Sequence, residues 1–499
     1  MAFHIALFYK YTPIPDPVAF VVTQSTLCSK LGLTGRLLVA AEGINGTLSC
    51  EVSSSSSSNG LQDWIDHMTS LPGFQDVDWK LSDGDVAPFG ETLTVKVVNE
   101  IVATGNANAN GACDEIANYG GRHLSPQEFH SALTNASKNT VLIDVRNTFE
   151  HAIGRFETGS GLSALEPKMR AFTEFDGWCE RVAPSLTDKK VLLYCTGGVR
   201  CETASCMLTR RGVGDVSQLR GGIHRYMDAF PDGDGLWRGK NFVFDNRVSM
   251  STPPRPQQQE QQQPRIPLPA VGAGDVTDVD VNVVGRCVEC HIKYDILSGN
   301  RICAVCRDLV LVCPRCATGL REFHCGAHQA LKHAFFVFLD GNFTVKQLEE
   351  QRTTLVQIVP PRGRRGGGGG VGVGVGSGKT TDAAGSDQGE SNGQKRETDG
   401  VAGAGLSFPA AARRDVVRAC RKQLVKIDAA LERKRDRDRD RARAKQGPNA
   451  TGGTEDTGNN YPDDSWKMRC RSCGLHETVC SKSRVGTLTR CAANRSRQT

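Results

Sequence analysis

At 499 residues the chain is long enough for two or three domains, but a hydrophobic fraction of 38% and 54 glycines leave much of the C-terminal half without a large core. The net charge of +6 is modestly basic, which permits a nucleic-acid partner without demanding one. There is no apolar run of about eighteen residues and no apolar leader at Met1, so neither membrane insertion nor secretion is indicated and a cytoplasmic chain with reduced thiols is the expectation.

Residues 1–118 read as a small α+β domain. LLVAA (37–41) and LTVKVV (93–98) are runs of apolar and β-branched residues suited to strands, and LQDWIDHMTSL (61–71) carries helical spacing. The serine run Ser53 to Ser58 has nothing to bury and reads as a lengthened loop. In EGINGT (42–47), Gly43, Asn45 and Gly46 have the look of a turn, with substrate contact by Glu42 or Asn45 as the less favoured alternative. Arg36, Lys96 and Arg122 are either solvated surface or neutralise RNA phosphates.

Residues 119–250 read as α/β. VLIDVR (141–146) and VLLYC (191–195) are continuous apolar runs suited to parallel strands buried on both faces, and EFHSAL (128–133) and TASCMLTRR (203–211) alternate with them as helices. In such sheets the site lies beyond the carboxyl ends of the strands, where Asp144, Arg146 and Cys195 fall. The loop CTGGVR contains Thr196, Gly197, Gly198, Val199 and Arg200 and precedes a helix near Cys201. Glycines without Cβ can turn amides inward, and a helix N-terminus and a guanidinium both favour negative charge, so Cys195 is expected to ionise and act as a nucleophile. The alternative is an ordinary core cysteine. Cys201 is a candidate for resolving an oxidised Cys195, whereas Cys206, deeper in the helix, reads as core. Asp144 and Arg146 read as a buried ion pair that anchors the loop rather than as reacting groups.

The segments IDVRNTFEHAIGRF (143–156), YCTGGVRCETAS (194–205) and QLRGGIHRYMDAFPDGDGLWRGKNFVFDNRVS (218–249) resemble the rhodanese domain of the tRNA uridine hydroxylases, which make 5-hydroxyuridine at the wobble position. FYKYTPIPDPVAF (8–20), LGLTGRLLVAAEGINGTLSC (31–50) and VKVVNEIVATG (95–105) resemble the leading domain of the same family, so the resemblance covers about the first 250 residues. It implies a ferredoxin-like leading domain, a rhodanese domain with Cys195 essential, tRNA as partner and molecular oxygen as co-substrate. The four residues between Cys195 and Arg200 are one fewer than rhodanese-fold phosphatases use to hold phosphate. No flavin, haem or open-iron constellation is visible. Two other functions stay open: a sulfurtransferase in which Cys195 takes a persulfide from a sulfur donor, and a non-catalytic zinc-bearing interaction protein.

After the Pro/Gln linker 251–283, residues 284–340 hold the pairs Cys287/Cys290, Cys303/Cys306 and Cys313/Cys316, followed by Cys325 and His328. Repeated C-x2-C knuckles are a strong metal signal, and eight ligands make two closed, structural zinc sites. Whether the pairs close in sequence or interleave stays open at this level. Arg301, Arg307, Arg315 and Arg321 could present this module to RNA. Residues 341–412 read as a Gly-rich low-complexity linker, and GSGKT (376–380) within them lacks the first glycine of a phosphate loop because Val373 occupies its place. Residues 413–445 read as a basic helix in which Val416, Val417, Leu424, Ile427 and Leu431 recur at three to four. Residues 446–499 read as a disordered tail in which Cys470, Cys473, His476, Cys480 and Cys491 offer a weaker third metal site.

Overall fold

The structure, a computed structural model, describes residues 2–52, 59–105, 111–159, 161–231, 234–251, 282–339, 343–359 and 410–445, with side chains of the last segment from 416 to 443. The serine run, nearly all of the Pro/Gln linker, the GSGKT segment and the terminal cysteines lie outside the described residues. The chain forms two compact units.

The first unit opens with β1 (Phe3–Tyr11), α1 (Pro17–Lys30), β2 (Thr34–Ala40), β3 (Gly43–Glu51), α2 (Gly60–Ser70) and β4 (Lys80–Gly84). β5 (Pro88–Glu91) and β6 (Leu93–Val97) follow. The sheet order β4-β1-β3-β2-β6 contains the four antiparallel strands of a ferredoxin-like βαββαβ unit, extended by β6 parallel to β2. Local chemistry starts the helices: Asp16 accepts from the Ala19 amide at 2.9 Å with Pro17 at the first helical position, as PDPV foreshadows. Side chains alternate across the sheet, so Ala6, Phe8, Leu37, Val39, Ile44 and Leu48 share one face and form the core with Trp64 and Met68 of α2. EGINGT is not a turn. Ala41 and Glu42 make the two-residue connection between β2 and β3, and Gly43, Asn45 and Gly46 lie within β3.

The same unit continues through α3 (Ala112–Tyr119), β7 (Arg122–Leu124), α4 (Pro126–Thr134), β8 (Thr140–Asp144), α5 (Thr148–Ile153) and β9 (Gly154–Phe156). Next come α6 (Phe175–Val182), β10 (Lys190–Tyr194), α7 (Val199–Thr209), β11 (Asp215–Leu219), α8 (Gly222–Ala229), β12 (Trp237–Phe242) and β13 (Ser249–Ser251). β7, β11, β10 and β8 form a parallel sheet in that order. Its central strand explains the unbroken apolar run: Val191 and Leu193 enter one core with Phe175 and Leu208, while Leu192 and Tyr194 enter another with Phe129 and Ile223. This places the start of the CTGGVR loop at the carboxyl end of a strand packed on both faces.

α9 (Pro314–Thr318) lies in the cysteine module. The second unit contains α10 (Val345–Ile358) and α11 (Ala410–Lys445). α10 occupies part of the expected linker. Its start was legible in TVKQ, because the Thr344 hydroxyl accepts from the Gln347 amide at 3.2 Å while the Gln347 side chain accepts from the Thr344 amide at 2.8 Å. Val416, Ile427 and Leu431 of α11 are buried with Leu348 and Leu355 of α10 in one core, which supplies the tertiary packing that a charged helix needs. Among the described residues no helix is long and apolar enough to cross a membrane, and no disulfide joins the described cysteines.

Candidate active site and metal centres

Cys195 follows the last residue of β10, and the chain turns at once into α7. Gly198 makes that turn at φ +103, where a Cβ would lie 2.9 Å from the Tyr9 hydroxyl oxygen. The LRGGI segment holds the loop from the other side. The amides of Ile223 and His224 donate to the carbonyls of Cys195 and Thr196 at 2.9 and 3.1 Å, and a Cβ on Gly222 would come within 2.6 Å of the Cys195 carbonyl oxygen.

The Cys195 Sγ accepts the Gly198 amide at 3.1 Å. Burial alone raises the thiol pKa, but hydrogen bonding from Cys201, the charge of Arg200 and the amides of Arg200 and Gly198 outweigh it and bring the pKa down to about 6. Cys201 is affected in the opposite sense. Burial first, and then its hydrogen bond to Cys195, push its pKa well above the ordinary value, so it stays protonated as a donor to the sulfur.

The Arg200 guanidinium is itself anchored. It forms a bidentate pair with Glu150 at 2.7 and 2.8 Å and reaches the Thr196 hydroxyl at 3.1 Å, because a buried guanidinium beside a buried carboxylate takes the two-pronged bond. Sequence reasoning missed Glu150, although N-T-F-E (147–150) carries the spacing of a capping box, of which α5 makes the Glu150 half: the Asn147 amide donates to Glu150 Oε1 at 3.1 Å. Removing this carboxylate leaves Arg200 buried and unpaired. Glu150→Ala is therefore expected to cost roughly 3–5 kcal/mol of folding stability, read as a lower urea midpoint at unchanged slope, with Glu150→Gln costing less.

Asp144 and Arg146 are both fully buried and paired at 2.7 and 2.9 Å, with Tyr194 and His151 on the same carboxylate at 2.9 and 2.8 Å. Burial by itself raises the Asp144 pKa, but Arg146 and His151 hold it below the usual carboxylate range. Arg146 also donates to the Gly154 carbonyl at 2.6 Å. The pair ties the end of β8 to the start of β9 and is absent from the wall of the cavity described next.

That cavity, of about 310 Å³, has Cys195, Thr196, Gly197, Val199 and Arg200 in its wall. The leading domain's sheet supplies another part of the wall. β1 pairs Leu7 with Thr47 and Tyr9 with Asn45, and β2 pairs Arg36 with Thr47 and Leu38 with Asn45. These six residues share the face away from that domain's core, and all six line the cavity. Tyr9 locks the two domains together by donating to Glu202 at 2.8 Å, a carboxylate that also binds His123 at 2.9 Å and Gln218 at 2.8 Å. No local signal joins Tyr9 to Glu202, which are 193 residues apart. Glu42 and Asn45 brace the segment after β6: Glu42 accepts the Ile101 amide at 2.7 Å, and Asn45 donates to the Ile101 carbonyl at 2.9 Å. Of the three basic residues singled out in sequence, Arg36 lines the cavity, whereas Lys96 and Arg122 are exposed and do not.

The eight metal-ligand candidates assemble into two groups, Cys287, Cys290, Cys313 and Cys316, and Cys303, Cys306, Cys325 and His328. The pairs interleave. Within each group the donor atoms lie within 4.8 Å of one another, and Cys290 and Cys313 Sγ stand 3.8 Å apart. Metal–sulfur bonds of about 2.3 Å in a tetrahedron put sulfurs about 3.8 Å apart, which is the Cys290–Cys313 spacing, so the donor types and their gathering fit a zinc ion. The Cys313 amide donates to Cys287 Sγ at 3.3 Å, a contact that favours thiolate at a metal knuckle.

Three family models match the chain: the UPF0176 acylphosphatase like domain over residues 3–101, the Rhodanese-like domain over 125–229 and the Rhodanase C-terminal over 238–329. The last extends the resemblance past residue 250 and takes in the cysteine module, which is part of the shared architecture rather than an appendage. The tRNA uridine(34) hydroxylase of Arthrobacter sp. (strain FB24) is 34% identical over 64% of this chain and 96% of its own length. That of Corynebacterium diphtheriae is 33% identical over 64% of this chain and 93% of its own. Rhodanese-like domain-containing protein 6 of Arabidopsis thaliana is 34% identical over 62% of this chain, which spans half of that protein's length. With the leading sheet, the rhodanese loop and the cysteine module matched in order along nearly the whole of the bacterial relatives, the chain belongs to the tRNA uridine(34) hydroxylase family.

Proposed function

We propose that the chain hydroxylates the wobble uridine of tRNA at C5, with Cys195 as the essential residue, molecular oxygen as the source of the new hydroxyl and a two-electron reductant, such as a dithiol, taking the second oxygen atom to water. The observation that carries this reading is the acidic thiol of Cys195 in the wall of a cavity roofed by the leading domain, in a chain of this family. Thr196 and Arg200 order the loop through Glu150, Gly198 supplies an amide to the sulfur, and Cys201 donates a further hydrogen bond. Cys201 acts here as a donor to a thiolate, and it is placed to resolve that sulfur once oxidised. Both metal groups hold structural zinc, since four protein ligands each leave no position for substrate. The chain works in the cytoplasm, where the reduced thiols of its metal sites persist.

Nucleoside mass spectrometry on tRNA treated with the purified protein and a dithiol reductant under isotopically labelled oxygen gas tests this. Labelled 5-hydroxyuridine at the wobble position is the expected product, and its absence overturns the reading. A second reading is favoured by the amides on Cys195: thiolate attack on the outer sulfur of thiosulfate forms the Cys195 persulfide and releases sulfite. Turnover of thiosulfate without any change in the tRNA would establish that reading instead.

The acidity of the thiol gives a pH test. Above about 6 Cys195 is thiolate, and below it the proton returns and reactivity is lost. Iodoacetamide labelling at Cys195, read by peptide mass spectrometry, should therefore reach half its plateau rate near pH 6. A midpoint in the usual thiol range, near about 8.5, would show that the cradle does not acidify it.

A further inference from the structure

Three arginines line the cavity, and two are committed to carboxylates. Arg200 is held by Glu150, and Arg247 pairs with Asp245 at 2.6 and 2.9 Å. Arg36 is different. It is half-buried, its guanidinium lies 4.8 Å from the Phe89 ring centroid, and among the described residues it has no hydrogen-bond or ion-pair partner. Such a guanidinium is oriented by the ring and keeps its donors for an anion. Asn45 stands on the same sheet face, one pleat repeat along. Its Nδ2 donates one N–H to the Ile101 carbonyl, which fixes the orientation of the amide and leaves Oδ1 as an acceptor for a ligand.

We propose that this sheet face is the nucleotide-recognition surface of the site, with Arg36 binding a backbone phosphate of single-stranded RNA and Asn45 Oδ1 accepting the N3–H of a uracil base. The inference rests on the tRNA reading above and adds how the base is held. In uracil the N3–H and the C5–C6 bond lie on opposite edges of the ring. A base held by N3 on the sheet face therefore turns its C5 edge away from the sheet, into the cavity that Cys195 also lines. Cytosine has no proton on N3 and meets Oδ1 acceptor to acceptor, so the same contact selects uridine. A half-buried sheet face that takes one unstacked base beside a positively charged side chain is a general solution for single-stranded RNA.

The test uses the full chain with Cys195→Ser, so that binding is read apart from turnover, and anticodon stem-loop RNAs carrying uridine, cytidine or 3-methyluridine at the wobble position. Uridine RNA is expected to bind about tenfold more tightly than either of the others, the scale of a hydrogen-bonding group left unmatched. Because this comparison changes only the RNA, it does not depend on whether an Asn45 variant folds. Arg36→Ala should weaken binding of all three RNAs alike and lower the slope of log affinity against log salt by about 0.7, the contribution of one single-strand phosphate. Arg36→Lys should restore the slope. Equal affinity for uridine and cytidine RNA, or an unchanged salt slope in Arg36→Ala, overturns the proposal while hydroxylation by the wild-type chain still stands. No RNA binding by any form overturns it together with the functional reading.

Discussion

Cys195→Ser is expected to abolish 5-hydroxyuridine formation, with a fall on the order of a thousandfold or more, the scale of deleting a nucleophile that acts as part of a unit. A serine hydroxyl in the same cradle does not ionise near neutral pH, so the amide of Gly198 and the charge of Arg200 have no anion to stabilise. In cells lacking the protein, wild type should restore wobble 5-hydroxyuridine and Cys195→Ser should not. The variant should keep the wild-type urea midpoint, because the sulfur's neighbours are mainly backbone amides and Cys201. Restoration by the serine variant would remove the thiolate from the proposal.

The second large effect concerns metal. A structural zinc site contributes on the order of 10 kcal/mol of local folding free energy, so chelation should unfold the cysteine module, and elemental analysis of untreated protein should give two zinc ions per chain. Interleaving makes a sharper prediction. Cys287 and Cys313 belong to one group, so the double substitution Cys287→Ser with Cys313→Ser should leave the other group, and one zinc, intact. Closure of the pairs in sequence would put these residues in different sites, and the double variant would lose both ions.

The chemistry-bearing residues in this chain were legible where the signal is local. A continuous apolar run ending at Cys195, a Gly-Gly turn and Arg200 specify a strand, a loop and a helix start within about a dozen positions, because short-range backbone geometry sets all three. The C-x2-C knuckles were legible for the same reason, since two thiols three positions apart grip one ion whatever surrounds them. EGINGT misled because glycine and asparagine serve turns and also serve strands where neighbouring backbone comes close. A Cβ on Gly43 would lie 1.9 Å from the Lys10 carbonyl oxygen, so the glycine answers to β1 rather than to a bend. α10 was lost inside an apparent linker because its apolar residues share a core with α11, on the far side of the glycine tract.

The sequence by itself determined the α+β leading domain, the α/β rhodanese domain, the strand–loop–helix course of the CTGGVR segment and the eight cysteine and histidine residues that gather into two groups, because each rests on periodicity or spacing within one short segment. Only the tertiary structure decided which candidate ligands group together, that Glu150 anchors Arg200, and that Arg36 and Asn45 line one cavity with Cys195. Those facts depend on contacts between residues that are distant along the chain. Loop closure, sheet register and competition among buried charges choose among them, and none of these is written into any single segment.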